Sequence, residues 1–92
     1  MLLRAQRQAA PVVYRALCRA QELWQQGERR AEPLRREARS VLGREPLVEA
    51  VDYVSVADNE TLEELDTVGG RAMVSAAVRL GQVRLIDNII LR

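Results

Sequence analysis

Apolar residues recur every three or four positions in the first half of the chain. In the second half they crowd into β-branched runs. Ala9, Val13, Ala16, Leu17, Ala20 and Trp24 follow i, i+3 and i+4 spacing. That spacing predicts an amphipathic helix over residues 3–26. Arg15, Arg19, Glu22 and Gln26 fall off its stripe. Pro11 belongs in the first turn of the main helix or at a kink in a longer one, because proline lacks the N–H an interior turn needs. Gly27 ends the run, since glycine accepts positive φ. A second helix is expected over 32–42, with Leu34, Ala38, Val41 and Leu42 on one face. Pro33 fits its first turn, and Glu32 there complements the helix dipole. Gly43 fits the position just past its end, and Pro46 prevents resumption.

After Pro46 the pattern changes. Val51, Tyr53, Val54 and Val56 read as a strand over 50–57. Asp58-Asn59-Glu60 ends it in a turn. Thr61–Leu65 suits one helical turn with Asn59 as a cap, and Gly69-Gly70 breaks the chain again. Residues 71–80 carry two patterns. Val74, Ala76, Val78 and Leu80 alternate like a half-buried strand, while Ala72, Met73, Ala76, Ala77 and Leu80 also make a helical face. The β-branched run over 83–91 and the Gly81-Gln82 turn favour two antiparallel strands. The expected fold class is α+β: two helices on one face of a small, about three-stranded antiparallel sheet, a two-layer domain.

Length fits that picture. Ninety-two residues make one small domain, which buries roughly 60–65% of its unfolded surface. A complete two-substrate ATP-dependent enzyme rarely fits in such a length. The chain has no His and no Lys, and all 14 basic residues are Arg. The usual proton carrier at neutral pH is missing, and arginine neither acts as a base nor forms a Schiff base. One Cys permits no internal disulfide and, without His, builds no zinc site. A lone thiol, no long apolar run and no signal-like start suggest a cytoplasmic chain away from membranes. Net charge is +1, but residues 1–45 carry ten Arg against five acids, and residues 46–92 four Arg against eight acids. The basic half raises a nucleic-acid reading. Alternation of Arg with Glu and the lack of an aromatic platform favour solvated helix faces instead.

Candidate chemistry is thin. Asp52, Asp58, Asp66 and Asp87 are the carboxylates considered for acid–base work, yet no environment that separates a pair of pKa values is legible. Turn capping accounts for Asp58 and Asp66 equally well. Cys18 lies about 100° from the centre of its helix stripe, partly exposed and without a neighbouring base. Gly69-Gly70-Arg71 lacks the Lys and hydroxyl residue of a phosphate loop. Ser55 and Ser75 have no base in sequence reach, and Trp24 and Tyr53 fall at core spacing.

Three blocks carry a resemblance. Leu80-Gly81 followed by Arg84-Leu85-Ile86-Asp87-Asn88-Ile89 resembles the closing signature of pantothenate synthetases, the pantoate–β-alanine ligases. Val51-Asp52-Tyr53-Val54-Ser55-Val56 with Thr61-Leu62 is similar to that family's aspartate–tyrosine strand and threonine–leucine turn. Pro11-Val12-Val13-Tyr14-Arg15-Ala16-Leu17 is similar to its first C-terminal-domain helix. The blocks run in the family's order across nearly the whole chain.

The resemblance implies ATP-dependent amide ligation. Pantoate and ATP give a pantoyl adenylate, which β-alanine then attacks to form pantothenate. It also implies that residues 1–92 are the C-terminal lid domain, helices on a three-stranded sheet. The histidine-containing phosphate motif and the serine–serine–arginine–asparagine loop belong to an N-terminal nucleotide-binding domain absent here. No catalytic, cofactor-binding or metal residue therefore carries over to this chain. ATP and magnesium are expected in the full-length enzyme only, and the isolated chain is expected to be inactive. Asp52, Tyr53, Arg84, Asp87 and Asn88 are assigned to the lid's own fold, with Asp87 and Asn88 hydrogen-bonding locally or to Arg84. Expected partners are the N-terminal adenylating domain and, through it, pantoate, β-alanine and ATP, with no nucleic acid or membrane. The fragment is expected to be a monomer or weak dimer. Arg15, Arg19, Arg35 and Arg39 are candidates for leaning toward ATP phosphates. The alternative is a small Arg-rich nucleic-acid-binding or protein-interaction module.

Overall fold

Helix α1 (Pro11–Gln25) buries Val12, Val13, Ala16, Leu17 and Ala20, so the expected stripe forms and gains Val12. The computed structural model describes residues 11–92. The expected start of α1 at residue 3, and the place of Ala9 in its stripe, lie outside the described residues. Trp24 is only half-buried at the edge of the core. The Arg29 guanidinium lies 4.8 Å from its ring centroid, at cation–π distance. Gly27 ends the helix with φ +111°. Its N–H donates to the Trp24 carbonyl at 3.0 Å, and the Glu28 N–H donates to the Leu23 carbonyl at 3.2 Å. This paired closure needs a left-handed residue at the position Gly27 holds.

Helix α2 (Ala31–Gly43) buries Ala31, Leu34, Ala38 and Leu42. Its first N–H has no side-chain cap. The Ala31 N–H instead donates to the Asp66 carbonyl at 2.8 Å, and the Val68 N–H donates to the Arg29 carbonyl at 2.7 Å. A distant loop thus satisfies a helix end that would otherwise leave an orphan donor. At the other end Gly43 is the last helical residue rather than the one past it. Arg44 caps with right-handed backbone, φ −85°. No positive φ is needed there, which is why the glycine gives no sharp stop at its own position.

Strands β1 (Ala50–Asp58), β2 (Ala72–Leu80) and β3 (Val83–Ile90) form one antiparallel sheet in the order β1-β2-β3. The strand reading of residues 71–80 holds, and the tight turn at Gly81 has φ +64°. The even-numbered residues of β2, from Ala72 to Leu80, join the helix residues in one core with Val54, Val56 and Leu91. Both helices cover that face. The architecture is therefore α+β in two layers, as the pattern along the chain predicts. Among the described residues no second layer covers the other sheet face.

The connection from β1 to β2 differs from expectation. Residues 61–65 form no helical turn. They run back beside β1: the Asp58 N–H donates to the Glu63 carbonyl at 2.9 Å and the Leu65 N–H to the Val56 carbonyl at 2.9 Å. The capping residue is Asp58, not Asn59. Asp58 Oδ1 accepts the N–H groups of Glu60 (2.8 Å) and Thr61 (2.9 Å). An aspartate at the end of a strand reaches those two donors without helical geometry.

Candidate functional site

Polar chemistry gathers on the uncovered sheet face and on the loop that edges it. Pairing skips Asp52: Val51 lies opposite Val78, and Tyr53 opposite Ala77. The extra residue is a β-bulge, a device that redirects a side chain. Its carboxylate reaches the outer face, where Arg79 and Arg84 lie directly across from each other on β2 and β3. Arg84 Nε donates to Asp52 Oδ2 at 2.8 Å, and Arg79 Nε donates to Oδ1 at 3.3 Å. Two like charges held opposite one another repel, and the shared carboxylate offsets this. The Arg84 hydrogen bond, followed by the Arg79 charge, holds the Asp52 carboxyl below its ordinary range. A carboxylate so held is a poor proton acceptor at neutral pH.

Further along the same face, past the row of Tyr53, Ala77 and Ile86, Ser55, Ser75 and Asn88 lie in register across the three strands. Beyond them come Ala57, Met73 and Ile90. Tyr53 is half-buried on this face beside Ala77 and Ile86, not in the core where its spacing placed it. The bulge at Asp52 shifts the alternation by one residue, so Tyr53 changes face.

Glu64 fastens the edging loop. Its carboxylate accepts from the Ser55 hydroxyl, from the Val56 N–H at 2.9 Å and from the Arg35 guanidinium. Arg35, with a side chain 14% exposed, also donates to the Leu65 carbonyl at 3.1 Å and pairs with Glu32 at 3.2 Å. One carboxylate thereby ties α2, β1 and the loop. Sequence reasoning missed Glu64, since nothing in the spacing of Thr61–Leu65 marks one of its two glutamates as a cross-link. Ser55 gains a carboxylate neighbour, but that carboxylate is already engaged by a guanidinium, so the pair holds structure rather than activating a hydroxyl.

The remaining sequence candidates stay apart. Asp87 Oδ1 accepts the Asn88 N–H at 2.8 Å. The local partner is correct, while Arg84 turns to Asp52 instead. Asp58 caps its turn, which lowers its pKa chiefly through the Thr61 and Glu60 N–H groups. Asp66 contributes its backbone carbonyl to α2. Cys18 is half-buried. Its position one helical turn from Tyr14 pushes the phenol's pKa up. Of the four arginines considered for phosphates, Arg19 pairs with Glu37 at 2.9 Å and Glu22 at 3.1 Å, and Arg35 pairs with Glu32 and Glu64. Arg15 and Arg39 have no acidic partner among the described residues.

Concave space is shallow. One cleft of about 330 Å³ is lined by Arg71, Ile90, Leu91 and Arg92, and another of about 380 Å³ by Tyr14, Gln21, Asn88, Ile89, Ile90 and Arg92. Neither brings a nucleophile to a free base. Among the described residues no group of three or more Cys, Asp and Glu side chains is placed to hold a metal ion, and no helix is long and apolar enough to cross a membrane.

The Asp52–Arg84 pair joins two of the three sequence blocks that carry the resemblance, and comparison with known proteins agrees with it. A family model described as pantoate-beta-alanine ligase matches residues 1–90. The pantothenate synthetase of Chloroflexus aurantiacus (strain J-10-fl) is 59% identical over 87 residues, and that of Roseiflexus sp. (strain RS-1) is 52% identical over 86. Each match covers 94% of this chain and 31% of the relative. A bifunctional pantoate ligase/cytidylate kinase of Gloeobacter violaceus is 47% identical over 87 residues, covering 95% of this chain and 17% of that protein. The crystal structure of pantothenate synthetase from Thermus thermophilus superposes with a TM-score of 0.86 at 35% identity, covering 96% of this chain and 31% of that one. The chain therefore spans about a third of the length of the pantothenate synthetases it matches. By sequence along nearly its whole length and by fold, this chain belongs to the pantoate–beta-alanine ligase family.

Proposed function

We propose that residues 1–92 are the C-terminal lid domain of an ATP-dependent ligase that condenses pantoate with β-alanine through a pantoyl adenylate. The observation that carries this reading is one of coverage: nearly all of this chain aligns with only about a third of each pantothenate synthetase. The polar groups described above fit a supporting role. The engaged carboxylates named above cap a turn, bind a guanidinium or, at Asp87, accept the next residue's N–H. On this reading the nucleotide, its magnesium and the reacting groups belong to the complementary N-terminal domain, and this chain is inactive alone. The full-length protein is cytoplasmic on this reading.

The role left for the lid is gating. An acyl adenylate is a mixed anhydride that water destroys. A domain that closes over it excludes water and holds the intermediate until the amine arrives. Removing these residues from the full-length enzyme separates the two half-reactions. Pyrophosphate release is expected to persist while pantothenate formation falls, because the adenylate is lost to hydrolysis as pantoate and AMP. Pyrophosphate and pantothenate falling in equal proportion would refute gating.

A further inference from the structure

Leu62 breaks two local rules at once. Its backbone holds φ +64°, the left-handed region where a Cβ crowds the following carbonyl and which glycine or asparagine normally occupies. Its side chain is also 65% exposed, ahead of Tyr14, Ile86 and Leu47, the other exposed large hydrophobics among the described residues. The turn that holds it is over-determined. Asp58 Oδ1 takes the Glu60 and Thr61 N–H groups, the Leu62 N–H donates to the Asp58 carbonyl at 2.9 Å, and the Glu63 N–H donates to Thr61 Oγ1 at 3.2 Å. Glu64 then anchors the chain to β1 and α2. Leu62 thus projects from a fixed support. Strain and exposed apolar surface both count against the isolated domain, and burial of the side chain against a partner recovers the apolar surface and offsets the strain.

The surroundings indicate the partner's character. Glu60 and Glu63 flank the leucine, and neither carboxylate has an ion pair among the described residues. A second copy of this chain is a poor occupant. A two-fold contact centred on Leu62 sets these acids against their own images. On the lid reading the remaining two-thirds of the full-length protein is joined to this domain in one chain and so present at high effective concentration.

We propose that Leu62 is a docking knob by which the lid seats on the catalytic portion of the same protein, in an apolar pocket with a basic rim. This rests on the lid reading. Leu62→Asn keeps the left-handed backbone and removes the apolar surface, while Leu62→Met keeps the apolar volume. In the 92-residue chain, Leu62→Asn is expected to leave the melting temperature unchanged or raised. In the full-length enzyme it is expected to lower kcat/KM about tenfold, as for one leucine left unburied, and to raise the ratio of AMP released to pantothenate formed. Leu62→Met is expected to stay near wild type. The double change Glu60→Lys, Glu63→Lys is expected to raise the same ratio, less so at high salt. An active wild type whose Leu62→Asn variant shows unchanged kinetics overturns the knob and leaves the lid reading intact. A lowered melting temperature for Leu62→Asn in the 92-residue chain also overturns the knob, because the leucine then serves the domain itself. A wild-type full-length protein that forms no pantothenate overturns the lid reading and the knob with it.

Discussion

Asp52 on β1 and Arg84 on β3 meet at 2.8 Å although β2 runs between their strands. The bulge at Asp52 makes the reach possible, and Arg79 on the intervening strand completes the group. Because the folded-state pKa of Asp52 is depressed, its stabilising effect is fully present above the unfolded value of about 3.9. The effect is lost as pH falls through the folded value. Asp52→Asn is therefore expected to melt below wild type at pH 5–7, and the gap is expected to close progressively in acid below about pH 4. Asp58 and Glu28 are depressed too, but they are common to both proteins and cancel in the comparison. Paired thermal melts from pH 2.5 to 7 at low salt check this. A gap independent of pH would assign the effect of Asp52 to packing.

Glu64 holds three partners from two other elements. Glu64→Ala leaves the largely buried Arg35 guanidinium and the Val56 N–H without it. The expected cost is about 1–3 kcal/mol, the usual penalty for a buried donor left unsatisfied. Native-state hydrogen exchange is expected to quicken at Val56 and Leu65 before the centre of β2 responds. Uniform quickening across the sheet would mean the loop is not a separate unit.

How far the sequence reaches can be seen at particular residues. The α1 stripe and the β2 alternation are legible because one buried face imposes its period on the chain. Tyr53 is misplaced because a bulge shifts the alternation by one residue, and Asp52 carries no sign of it until the partner strands are known. Thr61–Leu65 looks helical by composition, yet its backbone groups find better partners along β1 and at Asp58. Glu64 and Arg35 are invisible as a pair because 29 residues separate them. Conversely, the local bonding of Asp87 to Asn88 follows from seating a carboxylate among Ile and Leu, and that is found.

Gly27 closes α1 at φ +111°, with nothing within 4 Å of where a Cβ would stand. Any cost of Gly27→Ala is therefore conformational, about 1–2 kcal/mol. Gly43 ends α2 with ordinary backbone and equally open space. Gly43→Ala is expected to be neutral or stabilising by up to about 1 kcal/mol. Urea midpoints of the two variants check the contrast. Equal destabilisation would contradict it.

Leu34 is fully buried between α2 and the sheet. Leu34→Ala is expected to cost about 2–5 kcal/mol, a large share of the stability of a domain this small. Circular dichroism during urea unfolding measures it. A loss under about 1 kcal/mol would mean that the core closes over the gap.

The most direct measurement is pantothenate formation from pantoate, β-alanine, ATP and magnesium, run with this chain alone, with the complementary N-terminal domain alone, and with both mixed. No product is expected from this chain, and mixing is expected to give more pantothenate than the N-terminal domain alone, with less AMP released per pantothenate made. Turnover by the 92 residues alone would contradict the lid reading, since an active site would then reside in a chain assigned only to cover one.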